Sequence, residues 1–380
     1  MLASATPSLE SWQRATRGEF RLVEMPRRVF NRPLPAVRTI DLREEAHNKL
    51  SRGAISRPLH QAMEAALRDG GQVILLLNRR GFSTHIQCPG CGFALKCPHC
   101  DLALTFHRQN SSAICHYCDY QTAVPNACPD CKSPGLRYSG LGTQKLEAEV
   151  RARFPDYPCL RMDTDSMRSR GSHEQALAAF RDGRVRILLG TQMIAKGLDF
   201  PNVTLVGVIN ADTALNLPDF RASERTFQLV TQVAGRTGRG EQGGRVLVQT
   251  FSPDTPAILA AVRHDYGAFA RVELPHREAA LYPPFASMIR IVVRGEKEKD
   301  ARVLADELGR RLRAKADGTV RVLGPAPAPM TKLRGQYRFQ IQLQSVDGEQ
   351  LRTVVRGVTA DFKTPDDLIW TVDVDPWDMM

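Results

Sequence analysis

Apolar residues follow two spacings along this chain, and each spacing predicts its own elements. Residues 72–77, 185–189 and 203–209 are nearly continuous runs of Val, Leu and Ile, the pattern of strands buried on both faces of a parallel sheet. Residues 56–69 start at Ser56, place Leu59, Met63, Ala66 and Leu67 on one face and stop at Gly70-Gly71, which predicts a capped helix. Helices are also expected over 144–154 and 173–181, and strands over 160–162 and 244–249. Upstream, 20–29 and 37–42 read as strands joined by a non-helical link through Pro33 and Pro35, and Ser8 caps a helix running through Trp12. The succession predicts an α/β fold with a doubly wound parallel sheet. Beyond Pro253 the pattern becomes a helix (257–272), a strand (288–293), a helix (297–316), a strand (320–323), a proline-rich turn, a strand (337–343), a helix (348–362) and a strand (368–374). After the first helix this is a βαββαβ order, that of a ferredoxin-like or related α+β unit.

A cysteine block interrupts the sheet after the strand at 72–77. Eight of the nine cysteines form four C-x-x-C pairs: Cys88 with Cys91, Cys97 with Cys100, Cys115 with Cys118, and Cys128 with Cys131. Each pair presents two thiolates to one tetrahedral ion, so four pairs supply two zinc sites. The same density as disulfides has little support in a chain without secretory signals. Three pairings are open, and a nested one is expected. Cys97, Cys100, Cys115 and Cys118 then form an inner site, and Cys88, Cys91, Cys128 and Cys131 close an outer one. His99, His107 and His116 are alternative ligands that eight thiolates make unnecessary, and Cys159 reads as a small buried apolar residue.

Composition changes the picture only at the surface. With 42% hydrophobic and 24% charged residues the chain is an ordinary globular one, long enough at 380 residues for two or three domains. A net charge of +11 points to an anionic partner, nucleic acid first, although the arginine-rich balance also fits a bias of genome composition. No apolar run approaches the roughly 18 residues of a membrane span, and the first residues lack a signal pattern. A cytoplasmic protein with no membrane partner is expected.

The ends of the expected strands carry the candidate chemistry. Arg79 and Arg80 follow the strand at 72–77, and Gly190-Thr191 follow the run at 185–189. Gln232-x-x-Gly235-Arg236-x-Gly238-Arg239 sets two arginines three apart beside glycines, and the guanidinium fork suits phosphate oxygens. GTQMIAKGLDFPNV (190–203) and QVAGRTGR (232–239) resemble motifs V and VI of the second RecA-like lobe of superfamily 2 helicases, and SATPS (4–8) resembles motif III. Together with LNRRGF (77–82), GLGTQKLE (140–147), the four C-x-x-C pairs and the basic α+β tail, the whole chain resembles the PriA family of bacterial replication restart helicases.

That resemblance implies the end of a first helicase lobe and a linker over 1–55, a second RecA-like lobe over 56–87 and 134–263, a zinc insertion over 88–133, and a carboxyl-terminal α+β DNA-binding domain over 264–380. It implies ATP-dependent 3′-to-5′ unwinding, recognition of stalled forks and loading of further primosome proteins. It implies roles too: Arg236 and Arg239 as arginine fingers, Gln232 orienting the phosphate or its attacking water, and Gly197 and Asp199 coupling nucleotide to DNA. Gly190, Thr191, Arg79 and Arg80 would lie near the DNA backbone. Lys332 and Arg334, around the central connection of the last unit, would touch phosphate or be ordinary solvated charges. Many relatives carry an arginine where Val233 stands, so that role does not transfer.

The implied cofactors are two Zn2+ and, in the intact protein, ATP and Mg2+. The implied partners are single-stranded or forked DNA, other primosome proteins and single-strand binding protein. No GxxxxGK[ST] and no Asp-Glu-x-His occurs, so the expectation is a carboxyl-terminal part of a longer protein, itself unable to turn over ATP. Two other readings stay open: a zinc-dependent DNA and primosome-protein scaffold without turnover, and a different superfamily 2 translocase with a zinc insertion.

Overall fold

The computed structural model describes residues 3–25, 34–47, 53–77, 85–107, 111–139, 142–163, 167, 172–191, 200–235, 237 and 244–379. In chain order the elements are α1 (Leu9–Thr16), β1 (Ala36–Asp41), α2 (Leu42–His47), α3 (Arg57–Arg68), β2 (Gln72–Leu76), β3 (His85–Gln87), β4 (Thr105–His107), β5 (Ser112–Ile114), β6 (Gln121–Ala123), β7 (Arg137–Ser139), α4 (Thr143–Arg153), β8 (Cys159–Met162), α5 (Ser172–Arg181), β9 (Ile187–Gly190) and β10 (Val203–Val208). There follow α6 (Asp212–Leu215), α7 (Ala222–Ala234), β11 (Arg245–Thr250), α8 (Pro256–Val262), α9 (Tyr266–Ala279), β12 (Ser287–Gly295), α10 (Glu298–Lys315), β13 (Arg321–Leu333), β14 (Gln336–Ser345), α11 (Gly348–Thr359) and β15 (Leu368–Val374).

Six strands form one parallel sheet in the order β1-β11-β10-β2-β9-β8. Every residue of β2 is buried, as its unbroken apolar run requires of an interior strand covered on both faces. Ser56 caps α3 through its hydroxyl, which accepts from the Leu59 amide at 3.4 Å, and the helix packs Leu59, Met63 and Leu67 against the strands. The sequence put a strand at 37–42 but left it outside the lobe. Instead β1 pairs along its length with β11 and closes that edge, so the cysteine block follows the second strand of the sheet rather than the first.

The block is a five-stranded antiparallel sheet, β6-β5-β4-β3-β7. Its entering strand β3 and leaving strand β7 pair with each other, so the insertion hangs on a two-stranded neck. The carboxyl-terminal unit is a four-stranded antiparallel sheet in the order β15-β12-β14-β13, with α10 and α11 packed on one face. Numbered along the unit this is 4-1-3-2, the ferredoxin-like arrangement that the βαββαβ order predicts.

Three expectations fail in detail. Residues 20–25, the described part of the expected first strand, are irregular, with Val23 72% and Met25 87% exposed. Among the described residues no strand pairs with them. The helix expected over 257–272 is two helices: His264 takes φ +55 and Asp265 starts α9 as an N-cap, its carboxylate accepting from the Ala268 amide at 2.8 Å. The proline-rich stretch after Leu323 is strand, not turn. It is part of β13, an edge strand, where a missing N–H costs little because one side needs no ladder bond.

Candidate metal centres and the arginine helix

The four C-x-x-C pairs fold into four copies of one turn. In each, the amide four residues after the first cysteine donates to that cysteine's carbonyl: Gly92 to Cys88 at 2.9 Å, and Asp101 to Cys97, Asp119 to Cys115 and Lys132 to Cys128 at 3.0 Å. Each of these donor residues lies at positive φ, between 51° and 82°. Gly and Asp tolerate that region, which is why C-x-x-C-G and C-x-x-C-D read as knuckles; Lys132 occupies it at some cost. Gly92 has a second reason to lack a side chain, since a Cβ there would collide with the carbonyl oxygen of Phe251 at the carboxyl end of β11. The outer knuckle is thereby seated on the parallel sheet.

The pairing is the nested one. Cys88, Cys91, Cys128 and Cys131 gather their sulfurs in one cluster and Cys97, Cys100, Cys115 and Cys118 in another, with all ligand atoms of a cluster within 4.8 Å of one another. Sulfurs stand 3.6 Å apart between Cys88 and Cys131, between Cys91 and Cys128, and between Cys97 and Cys118. A tetrahedral zinc with bonds near 2.3 Å asks for edges of about 3.8 Å, so two zinc ions fit the two clusters. Within the inner cluster Cys97 is held far below the usual thiol range by hydrogen bonds from Cys100 and Cys115, while Cys100 is pushed far above it by its hydrogen bonds to Cys115 and Cys97. In the outer cluster the Ser133 hydroxyl and amide hold the Cys131 thiol down to about 6. One thiol in each cluster is thus shifted downward, towards the thiolate form that binds a cation.

The inner ribbon also touches the carboxyl-terminal unit. His116 Nδ1 lies 2.7 Å from the Pro327 carbonyl oxygen, the Gln340 amide donates to the His116 carbonyl at 2.8 Å, and the Tyr282 hydroxyl donates to the Cys100 carbonyl at 3.2 Å. Burial lowers the His116 pKa to about 4. With Nδ1 taken up by that carbonyl and each sulfur cluster made of four cysteines alone, His116 reads as a packing residue rather than a ligand.

Of the remaining candidates, the described ones on the parallel sheet, Gly190, Thr191 and Gln232, fall at its two edges. At the carboxyl edge Gly190 ends β9, its carbonyl accepting from the Leu77 amide at 2.9 Å, and it pairs with Met162 of β8. The ends of β2, β9 and β8 therefore align, and Asp163, which follows β8, is buried and takes a 2.8 Å hydrogen bond from Thr143. At the amino edge, α7 ends at Gly235, and the Thr237 hydroxyl donates to the Val203 carbonyl at 2.7 Å. Gln232 donates to the Thr6 hydroxyl at 3.4 Å, joining the motif VI and motif III resemblances, and Val233 is core. Arg79, Arg80, Gly197, Asp199, Arg236 and Arg239 lie outside the described residues. Lys332 and Arg334 are exposed. Arg334 and Gly335 both take positive φ in a two-residue hairpin, and the Lys332 ammonium sits 4.4 Å from the Tyr337 ring centroid. The expected basic loop is thus a tight turn.

Sequence reasoning missed a polar stripe on α7. Arg221, Glu224, Gln228 and Gln232 recur at helical spacing and face the segment around Thr6 and Glu10. Behind them Arg277 is 1% exposed, paired with Glu224 at 2.7 Å and Glu273 at 3.2 Å. The spacing of 221, 224, 228 and 232 was the available signal.

Comparison with known families assigns each unit. Residues 278–377 match the Primosomal protein N C-terminal domain, 141–241 the Helicase conserved C-terminal domain, and 97–122 the PriA DNA helicase Cys-rich region domain. The chain carries PriA domains and is similar to PriA proteins along its whole length. Replication restart protein PriA of Bacillus subtilis is 40% identical over 383 residues, covering 100% of this chain and 48% of that protein. PriA of Treponema pallidum is 40% identical (99% of this chain, 56% of that protein), and PriA of Haemophilus influenzae 38% identical (100% and 52%). The chain spans about half the length of the curated PriA proteins it matches. No helix among the described residues is long and apolar enough to cross a membrane.

Proposed function

We infer that the chain is the carboxyl-terminal part of an ATP-dependent 3′-to-5′ DNA helicase that recognises stalled forks and restarts replication by assembling a primosome. One observation carries this reading: a helicase lobe, two four-cysteine clusters and a primosomal C-terminal domain occur in one chain that aligns with PriA proteins along its whole length. Arg236 and Arg239, just past the carboxyl end of α7, are assigned to neutralising charge on the phosphates of ATP held with Mg2+ by the preceding lobe, and Gln232 to orienting the phosphate or water. Gly197 and Asp199 are assigned to coupling that cleft to DNA. Gly190 and Thr191 at the carboxyl edge, with Arg79 and Arg80, which follow β2 in the sequence, are assigned to the DNA backbone, and Lys332 and Arg334 to phosphate beyond it. The two zinc clusters hold the ribbon that links lobe and tail and offer a surface for primosome proteins and single-strand binding protein.

The test separates the chain from the whole protein. The isolated chain is expected to hydrolyse no ATP, because arginine fingers act on a nucleotide that other residues must hold. In the whole protein Arg239→Ala is expected to lower DNA-stimulated turnover by about 10³-fold or more. DNA-stimulated hydrolysis by the chain alone, or near-normal turnover of the variant, overturns the assignment.

A further inference from the structure

Helix α7 is fixed at its amino end by residues from the far end of the chain. Arg221 donates from Nη1 to the Pro376 carbonyl and from Nη2 to Glu10, both at 2.8 Å, and its guanidinium lies 5.5 Å from the Trp377 ring centroid. One turn on, Arg225 donates to the Trp377 carbonyl at 2.6 Å and pairs with Asp219 at 2.9 Å. The buried Asp219 carboxylate also accepts from the Arg221 amide at 2.9 Å and the Met379 amide at 3.4 Å. Met379 is fully buried in the cluster that contains Tyr117 of the zinc ribbon, Phe220 and Tyr282. These last residues follow β15 directly: Asp375 turns the chain at φ +51 and donates its amide to the Met288 carbonyl of β12 at 2.9 Å. A continuous path therefore runs from the α+β sheet to the start of α7.

We propose that residues 376–379 are a strap that positions α7, with Arg221 and Arg225 as its positioning residues, so that the orientation of the α+β domain is read at the arginine motif on the other end of the helix. The inference rests on the reading of Arg236 and Arg239 as phosphate-facing. A helix of 13 residues is a rigid rod about 20 Å long, so a change of tilt at Arg221 is delivered as a displacement at Gly235. Displacement there has a large effect, because misplacing a catalytic group by about 1 Å costs roughly a hundredfold in rate. The strap's acceptors at 376 and 377 are backbone carbonyls, and the Trp377 side chain is 64% exposed. Loss of the segment, not substitution of the Trp377 side chain, should release the helix. After that loss Arg221 keeps Glu10 and Arg225 keeps Asp219, so no charge is stranded in the core.

The experiment has two arms. In this chain, deletion of residues 376–380 is expected to speed hydrogen exchange of the α7 amides by about tenfold while those of β10 and β11 hold, since local opening is read separately from global unfolding. In the whole protein the same deletion is expected to lower the DNA-stimulated kcat for ATP by about tenfold with KM within roughly twofold, and Trp377→Ala, which keeps the carbonyls, to stay within about twofold of the native rate. Arg225→Ala should lower kcat as the deletion does, and Arg225→Lys should restore much of it. Unchanged exchange in α7, or a kcat that falls only with the fraction of folded protein, overturns the proposal. If the native whole protein hydrolyses no ATP while the deletion still loosens α7, the arginine reading has failed and the strap stands.

Discussion

Arg277 shows how much a single side chain can commit at the residue scale. Its guanidinium is buried with Glu224 and Glu273, and burial pushes both carboxyls above their ordinary values although Arg277 pulls them down. Arg277→Ala leaves Glu224 as an unpaired buried charge, and a loss of about 3–5 kcal/mol is expected in denaturant unfolding. The pH dependence has a definite sign. A carboxyl whose folded pKa is raised contributes stability below its unfolded value and loses it as pH rises through the folded one, so the variant should lose more stability at pH 8 than at pH 5. The cysteines make a second prediction at this scale. Cys97→Ser should leave the outer zinc in place and cost the inner ion, which elemental analysis under reducing conditions will count; retention of two ions would mean that the inner four are not the ligand set. Legibility followed chemistry here. The eight ligands and their nested pairing were readable because a knuckle is local, whereas Arg277 was not, since its partners lie 4 and 53 residues away and nothing in its neighbourhood marks it as buried.

At the scale of elements, the strands and helices that were legible are those whose own residues contain their boundaries. Ser56 and Gly70-Gly71 bracket α3, and continuous apolar runs mark β2, β9 and β10. The misread ones depend on neighbours. β13 runs through three prolines because it is an edge strand, a fact of sheet order and not of sequence. β1 is recognisable as a strand, but only its register with β11 says which sheet it joins. The split between α8 and α9 was in principle readable, since Asp265 is an ordinary N-cap residue that the apolar periodicity overrode. Asp265→Ala should destabilise the chain by about 1 kcal/mol, seen as a lower unfolding midpoint. A chain unaffected by the change would mean that packing alone sets the start of α9.

On the scale of the whole molecule, charge decides what can be expected of the chain without its preceding lobe. A net charge of +11, with basic groups at strand ends and on the tail, should give weak binding to single-stranded or forked DNA that falls steeply with salt, as phosphate contacts release counterions. A binding isotherm that ignores ionic strength, or no binding at low salt, would remove nucleic acid from the proposed function. The candidate site is legible only in part at this scale. The arginine motif and the glycine-bearing strand ends could be found from sequence, but that Gly190 and Gly235 stand at opposite edges of one sheet follows from the chain path through β9, β10 and α7.

Nesting of the two metal sites has a consequence for biosynthesis. The chain leaves the ribosome amino end first, at about 5–20 residues per second in bacteria, so ligands become available in order of number. The inner set is complete once Cys118 has emerged, whereas Cys88 and Cys91 wait until Cys131 follows, by which time the inner ion has already drawn their partners close. Metal loading should therefore be sequential and co-translational. Arrested nascent chains exposing residue 122 should hold one zinc and those exposing residue 139 two. Strands β8, β9, β10 and β11 are all made later, so the parallel sheet closes around an insertion that is already metallated. In a zinc-starved cell the shortfall would then appear as chains arrested in maturation before the sheet is complete, rather than as finished protein with an empty site.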